Sequence, residues 1–156
     1  MLVIYQKKQS VIIPEESIRF RIIANSNNPI DQVNKMNIIK EIYPKLVSST
    51  SNVSDINTAR QNIIELQSEL KPIISHYSSE YQINYGNNYF PQKEFKGITY
   101  EEGNYESLVI ELGQGQGENW WCVLFPPLCL LEAEENSTEN IEYDLYVSEV
   151  INKYMQ

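Results

Sequence analysis

The chain has 156 residues, of which 42% are hydrophobic and 21% charged, and its formal net charge is −9. These values are typical of one soluble globular domain that buries a core without a disulfide or a metal, and no apolar run is long enough to span a membrane. Between Gly97 and Asn152 there are twelve acids and no Lys or Arg, whereas the rest of the chain has nine acids and twelve bases, a net charge of +3. Binding of nucleic acid or anionic lipid by the acidic region 97–152 is therefore disfavoured.

The N-terminal part of the chain predicts a strand that leads into a helix. In residues 17–24 apolar side chains alternate with Arg19 and Arg21, as in a strand with one apolar face. Polar residues 25–29 then supply a turn and a helix cap. From Asp31 onward the sequence predicts a helix whose apolar stripe is formed by Val33, Met36, Ile39, Tyr43 and Leu46.

A second helix has the clearest periodicity in the chain. Its apolar positions step by three and four residues along Ile56, Ala59, Ile63, Leu66, Leu70, Ile73 and Tyr77. Ser54 or Asp55 is expected as the N-cap, and the polar loop 48–52 joins the two helices as an antiparallel hairpin. Pro44 is expected to end or kink the first helix, and Pro72 to kink the second or begin a new helix.

After the second helix the pattern changes to a period of two, which predicts strands over 81–85, 105–112 and 120–125. The last strand is apolar on both faces and is therefore expected to be central or covered on both sides. Residues 144–155 predict a terminal helix. The chain is thus expected to be one α+β domain over residues 1–156: an N-terminal strand, an antiparallel helix hairpin, then antiparallel strands forming a sheet with helices on one face.

The segment Gly113–Cys129, GQGQGENWWCVLFPPLC, contains both tryptophans, both cysteines and three of the six glycines. Because side chains alternate along a strand, one of Trp120 and Trp121 is expected in the core and the other available at the surface. The glycines predict a hairpin turn and not a phosphate-binding loop, since a strand follows them and no basic residue lies nearby.

The two cysteines, Cys122 and Cys129, allow one disulfide. An extended chain would separate their Cα atoms by about 23 Å, beyond disulfide reach unless Pro126 and Pro127 fold the chain back. The favoured interpretation is two buried thiols that act as small hydrophobic side chains.

No group of residues resembles a catalytic set. His76 is the only histidine, which excludes a histidine-rich metal site, and its place beside the apolar stripe favours a partly exposed surface position. We therefore expect no enzyme, no cofactor and no metal. Asn25 and Ser26 form a polar cluster with Asp31 and Gln32, for which helix capping is the simplest role and a recognition edge beside the tryptophans is the functional alternative.

Three stretches resemble a known family. They are RFRIIANSNNPIDQ (19–32), FPQKEF (90–95) and EEGNYESLVIELGQGQGENWWCVLFPPLC (101–129), of which NWWCVLFPPLC is the most specific. These stretches are similar to signatures of stage II sporulation protein R of endospore-forming bacteria. The resemblance covers about residues 13–132, and the acidic, tyrosine-rich extension 133–156 lies outside it.

The resemblance implies a signalling role. Members are made in the forespore, exported into the space between forespore and mother cell, and trigger a membrane-embedded aspartyl protease in the mother cell. That protease removes the pro-sequence of a sigma-factor precursor. The chain is thus expected to be a secreted activating ligand, with catalysis in its partner. Members begin with a membrane-targeting segment that this sequence does not show, and membrane contact is expected only through such a segment.

A ligand of this kind is expected to bind through aromatic anchors, because a few such residues carry most of the energy of an interface. The expected partner-binding residues are Asn119, Trp120, Trp121, Phe125, Pro126, Pro127, Asn25 and Ser26. Two other functions stay open: a wall-active hydrolase that uses Cys122 or Glu118, and a structural protein of the spore envelope.

Overall fold

The computed structural model describes residues 11–12, 16–95 and 98–129; the helix predicted over 144–155 lies outside the described residues. The described part contains nine elements in the following order: β1 (Val11–Ile12), β2 (Ile18–Ile23), α1 (Pro29–Thr50), α2 (Ile56–Tyr77), β3 (Tyr81–Phe90), β4 (Lys93–Phe95), β5 (Ile98–Tyr100), β6 (Gly103–Leu112) and β7 (Asn119–Phe125).

Four strands form the main sheet, in the order β3-β6-β2-β7. The β3–β6 and β2–β7 pairs are antiparallel, whereas β2 and β6 are parallel, with Phe20 opposite Leu108. A parallel pair requires a long connection, which here includes both helices. The α+β prediction is confirmed, but the sheet is mixed and not wholly antiparallel. A separate small sheet, in the order β1-β5-β4, was not expected.

The hydrophobic core lies between the helix hairpin and one face of the main sheet. Its fully buried side chains include Ile18, Phe20 and Ile22 of β2, Ile38, Ile42 and Leu46 of α1, Ile63, Leu70 and Ile74 of α2, and Leu108 and Ile110 of β6. The alternation that predicted β2 therefore places its apolar face against the helices. The opposite face of the main sheet carries Arg19, Arg21 and Trp121.

Both helices continue through their prolines. Pro44 and Pro72 lie on exposed positions inside α1 and α2, so Pro44 does not end its helix and Pro72 does not begin a new one. The other expected alternative, a kink at either proline, stays a prediction. Each proline removes one backbone hydrogen bond, but the apolar side chains on the opposite, core-facing side remain packed, and helices in proteins are stabilised mainly by such packing. The N-cap of α2 is Asp55, as predicted, and its side chain accepts a hydrogen bond from the Thr58 amide at 2.8 Å.

One strand prediction is corrected and another is confirmed. β3 runs without a break to Phe90, because residues 86–90 pair with 103–107 of β6 along the whole strand. β7 is an edge strand of the main sheet and is covered on both faces, which confirms the second of the two predicted alternatives.

Candidate functional site

The two tryptophans point to opposite faces of β7. Trp121 is only 5% exposed and its ring lies 5.3 Å from that of Phe90 and 5.1 Å from that of Tyr100. Trp120 is half-buried, packs against the core on the helix side and meets the Phe20 ring edge-on at 6.0 Å. Trp121 is therefore the buried ring, and Trp120 is the one with accessible surface.

Cys122 and Cys129 form a disulfide, with a Cα–Cα distance of 5.0 Å, so the favoured interpretation of two separate thiols is wrong. The chain folds back at Pro126 and Pro127, and the Leu128 amide donates to the Val123 carbonyl at 3.1 Å. Phe125 and Pro126 are buried and Pro127 is half-buried. Of the expected Phe-Pro-Pro edge, only Pro127 offers surface to a partner, and Cys122 has no free thiol to act as a nucleophile.

The glycine-rich loop does not form the predicted hairpin turn, because β2 lies between β6 and β7. The loop crosses the C-terminal end of β2 and forms backbone hydrogen bonds with the residues that follow this strand. We name residues 24–28 and 113–118 the polar tip. The Gln114 amide donates to Asn25 Oδ1 at 2.9 Å, and the Glu118 amide donates to Asn27 Oδ1 at 2.7 Å. The asparagine side chains thus hold the two segments of the polar tip together.

Two glycines of the loop permit this close approach. Gly113 has φ +56°, and a Cβ there would collide with the Asn25 side chain. A Cβ on Gly117 would collide with the Ser26 carbonyl, and the Gly117 amide donates to the Ala24 carbonyl at 2.9 Å. Gly117 therefore lets two backbones come into contact, and Gly113 makes room for the Asn25 side chain.

Asn25 and Ser26 also fix the start of α1. Asn25 Nδ2 and Ser26 Oγ donate to Asp31 Oδ2 at 2.9 and 2.6 Å, and these bonds hold the pKa of Asp31 below its usual value. The helix N-cap itself is Asn28, whose side chain makes no capping bond. Asn25 and Ser26 therefore order the polar tip and are not N-caps, and both remain half-buried with surface to offer.

Lys35 is a buried cation beneath the polar tip that the sequence analysis did not identify. It is 5% exposed, and its ammonium group donates to Gln32 Oε1 at 2.7 Å and to the Glu118 carbonyl at 3.1 Å. Burial lowers the pKa of this ammonium group. Lys35 precedes Ile38, Ile42 and Leu46 at the same helical spacing. This spacing was the signal in the sequence that could have predicted its burial.

The first turns of α1 expose a row of large apolar side chains. Ile30, Val33 and Met36 are 69%, 55% and 47% exposed, so two members of the predicted apolar stripe, Val33 and Met36, face solvent. The core-facing stripe of α1 is instead Lys35, Ile38, Ile39, Ile42 and Leu46. We name Ile30, Val33 and Met36 the apolar row. It begins two residues after the polar tip and lies on the solvent side of the helix.

The described residues show little that indicates catalysis or a metal. Among them no group of three His, Cys, Asp or Glu side chains is placed to hold a metal ion. His76 is exposed and its ring packs edge-on against Tyr77 at 4.9 Å. No helix in the described ranges combines the length and apolar character needed to cross a bilayer.

Comparison with known proteins agrees with the resemblance seen in the sequence. The family model of stage II sporulation protein R matches residues 14–135. Stage II sporulation protein R of Bacillus subtilis (strain 168) is 35% identical over 132 residues, which cover 81% of this chain and 59% of the relative, so the chain spans somewhat more than half of that protein's length. No solved structure matches. The chain belongs to the stage II sporulation protein R family and has a role related to sporulation.

Proposed function

We propose that this chain is a secreted ligand that activates a membrane-embedded aspartyl protease in the mother cell, and that this activation leads to processing of a sigma-factor precursor. Membership of the family supports the proposal, because the family resemblance implies that role. In this proposal the chain is not an enzyme, and the bond is cleaved by its partner.

The apolar row is the observation that carries a protein-binding function. Contiguous exposed apolar side chains on a soluble domain mark interaction sites. Ile30, Val33 and Met36 are each about half or more exposed and lie beside the polar tip. A core of apolar contacts with a polar rim is the usual anatomy of an interface.

The apolar row can supply a large part of the energy that activation needs. A ligand activates by binding the active arrangement of its partner more tightly than the resting one. A shift from 1% to 99% active requires about 5.5 kcal/mol of differential binding. Full burial of an aliphatic side chain of this size contributes about 1.5 to 3 kcal/mol. Because Ile30, Val33 and Met36 are already partly buried, covering the surface that they still expose contributes about 2.5 to 5 kcal/mol in all.

Cleavage of the sigma-factor precursor in a heterologous cell tests the proposal. The cell carries precursor and protease, and the chain is exported through an added signal peptide or kept inside. We expect cleavage only with the exported chain. Absence of cleavage, with export and folding of the chain demonstrated, would refute the activating role and favour a hydrolase or a structural protein of the envelope.

A matched pair of variants tests the surface. Val33→Gln with Met36→Gln makes the apolar row polar, and Ile64→Gln does the same at a 45% exposed position of α2. We expect the first variant to lose cleavage by at least about tenfold and the second to retain it, since only the first removes interface contacts. Equal effects of the two would show that the apolar row is not the binding surface.

A further inference from the structure

The two edges of the main sheet differ in how far they are covered. At the β7 edge, Val123 and Leu124 are 0% exposed, and the chain folds back so that the Leu128 amide donates to the Val123 carbonyl at 3.1 Å. At the β3 edge, four of the ten side chains are exposed, and within the described ranges β3 pairs with β6 alone. An edge strand presents a row of backbone N–H and C=O groups to a further strand. The β3 edge is therefore the accessible end of the main sheet.

The sequence of β3, YQINYGNNYF, lacks the features that protect natural sheet edges. Short edge strands, bulges, prolines and lysines are the usual protection against pairing with another chain. β3 instead has ten residues, and its register with β6 runs from Tyr81 to Phe90 without a bulge. It contains no proline and no charged side chain, although 21% of the chain is charged. This edge is thus suited to pair with another strand.

One flank of α2 lies beside the β3 edge. Ser75 Oγ donates to the Tyr81 hydroxyl at 3.0 Å, which places the end of α2 at the start of β3. Farther along, Arg60 Nε donates to Glu106 Oε2 of β6 at 2.8 Å, and the Tyr85 hydroxyl donates to the same atom. α2 therefore runs antiparallel to β3, and the flank that carries Arg60 and Ser75 follows the strand from Tyr81 to Tyr85.

Ile64 is an exposed apolar side chain on this flank. It lies between Arg60 and Ser75 at spacings that keep all three residues on one side of a helix. The other side of α2 faces α1, where Asn62 Nδ2 donates to the Ser49 carbonyl at 3.0 Å. Ile64 is 45% exposed, so an apolar surface is available beside the middle of the β3 edge.

A second copy of this chain fits the β3 edge when the two β3 strands are antiparallel. A two-fold axis near Tyr85 then joins the two main sheets into one continuous sheet, keeps all helices on one face and brings the two Ile64 side chains together. No like charges oppose each other along the pair, because β3 is uncharged. Glu80, the acid that precedes β3, would be roughly 30 Å from its counterpart, beyond the Debye length of about 8 Å. The edge is thus complementary to itself.

We propose that the β3 edge and Ile64 form an interface with a second copy of this chain, through antiparallel pairing of the two β3 strands. The interface contains no residue of the apolar row or the polar tip, so it lies outside the proposed protease surface. Because the β7 edge of each copy is covered, the contact uses the same edge of both copies and closes at two. A dimer is therefore expected, and not a longer assembly.

Sedimentation equilibrium of the full chain between about 5 and 500 μM tests the proposal. We expect a reversible equilibrium of monomer and dimer with a Kd of about 1 to 100 μM, as for a small interface of this kind. A chain that stays monomeric at about 500 μM overturns the proposal, and so does an assembly larger than a dimer.

Two charge variants separate pairing at this edge from nonspecific association. Asn84→Lys adds a charge at an exposed position of β3, where the two copies are diagonal neighbours across the axis, and Asn52→Lys adds the same charge in the loop between the helices. We expect Asn84→Lys to raise the Kd at least about tenfold, because lysine is a natural block of sheet edges, and Asn52→Lys to leave it within about twofold. A Kd that Asn84→Lys leaves unchanged, or that both variants raise equally, overturns the proposal.

Ile64→Gln separates the dimer from the protease surface. We expect this variant to raise the Kd at least about fivefold and yet to retain cleavage of the sigma-factor precursor, since the apolar row is intact in a monomer. Val33→Gln with Met36→Gln is the opposite case and should leave the Kd within about twofold. A Kd that Ile64→Gln leaves unchanged, or that the double variant raises as much, overturns the proposal.

Hydrogen exchange of the parent chain gives a readout that needs no variant, and it decides if Asn84→Lys fails to fold. Amides of β3 should exchange more slowly at about 500 μM than at about 5 μM, whereas those of β2, which lies between β6 and β7, should not change. Exchange in β3 that is independent of concentration while the chain dimerises overturns the pairing of the two strands.

Discussion

At the scale of the residue, the two neighbouring tryptophans differ in burial and therefore in expected role. Trp121 is enclosed by Phe90 and Tyr100, whereas Trp120 keeps accessible surface next to α1. We expect Trp121→Ala to lower the free energy of unfolding by about 3 to 5 kcal/mol, the usual cost of truncating a buried aromatic side chain. Trp120→Ala should cost about 1 to 2 kcal/mol, because the ring is half-buried and makes one ring contact.

Denaturant unfolding of both variants, together with the precursor-cleavage assay, measures this difference. Trp120→Ala should remain folded and lose cleavage. Full cleavage by a folded Trp120→Ala would remove this ring from the interface, and equal destabilisation by the two variants would show that both rings are core.

Asp31 makes the polar tip sensitive to acid. Its pKa is lowered by the hydrogen bonds from Ser26 and Asn25, so the folded state binds a proton less readily than the unfolded state. A carboxylate of this kind contributes stability above its unfolded pKa of about 3.9, and that stability is lost as the pH falls through the lower folded pKa. We expect Asp31→Asn to be less stable than the parent chain at pH 7.

Thermal denaturation of the parent chain and Asp31→Asn between pH 7 and pH 2.5 checks this prediction. The difference in Tm should shrink as the pH falls below about 4. A difference that stays constant to pH 2.5 would mean that the carboxylate charge of Asp31 does not contribute.

At the scale of the element, the disulfide ties the end of β7 to the turn that follows it. Cys122 and Cys129 are seven residues apart and both buried, and Tyr43 of α1 donates to the Cys129 carbonyl at 3.2 Å. A cross-link over a loop of this length contributes about 2 to 3 kcal/mol by restricting the unfolded chain. We expect Cys122→Ala with Cys129→Ala to lower the free energy of unfolding by that amount.

Urea unfolding with and without a reducing agent provides the control. The reductant should lower the stability of the parent chain toward that of the double variant and leave the double variant unchanged. A parent chain that is insensitive to a reductant shown to open its disulfide would contradict the prediction.

The elements differ in how well the sequence predicted them. α2 was predicted well because Ala59, Ile63 and Leu70 repeat with the helical period and Asp55 caps the first turn. α1 was predicted in position but not in its buried face, since Val33 and Met36 have the same spacing as a core stripe and yet face solvent. Periodicity reports that a helix has an apolar face but does not distinguish a core from a binding surface.

The parts of the site that sequence reasoning missed depend on contacts distant in sequence. The alternation in β2 placed Arg19 on a polar face, and solvent is the usual neighbour of such a face. A second sheet covers that face instead, and no pattern in residues 93–100 predicts where this sheet lies. Likewise, the approach of Gly117 to Ser26 joins segments that are about ninety residues apart in sequence, as does the 2.7 Å bond from the Glu118 amide to Asn27.

At the scale of the whole molecule, the described part has three layers: the helix hairpin, the main sheet and the small sheet. The first two share an apolar core of interdigitated side chains. The small sheet pairs only among β1, β5 and β4, and its contact with the main sheet includes the Tyr100 ring on Trp121 at 5.1 Å. Moving the small sheet away would therefore break no strand pairing of the main sheet, so we expect it to open more readily than the other two layers.

Hydrogen exchange of the backbone amides measures whether the small sheet opens more readily than the main sheet. Amides of β4 and β5 should exchange faster than those of β2 and β6, because exchange follows local opening. Tyr100→Leu keeps apolar bulk but removes the ring contact, worth about 0.5 to 1.5 kcal/mol, and should speed exchange in β4 and β5 roughly 2- to 10-fold without changing β2. Tyr89→Leu, at a ring that is 55% exposed, is the matched control and should change neither. Exchange in β5 as slow as in β2 would mean that the small sheet is held by the same cooperative core.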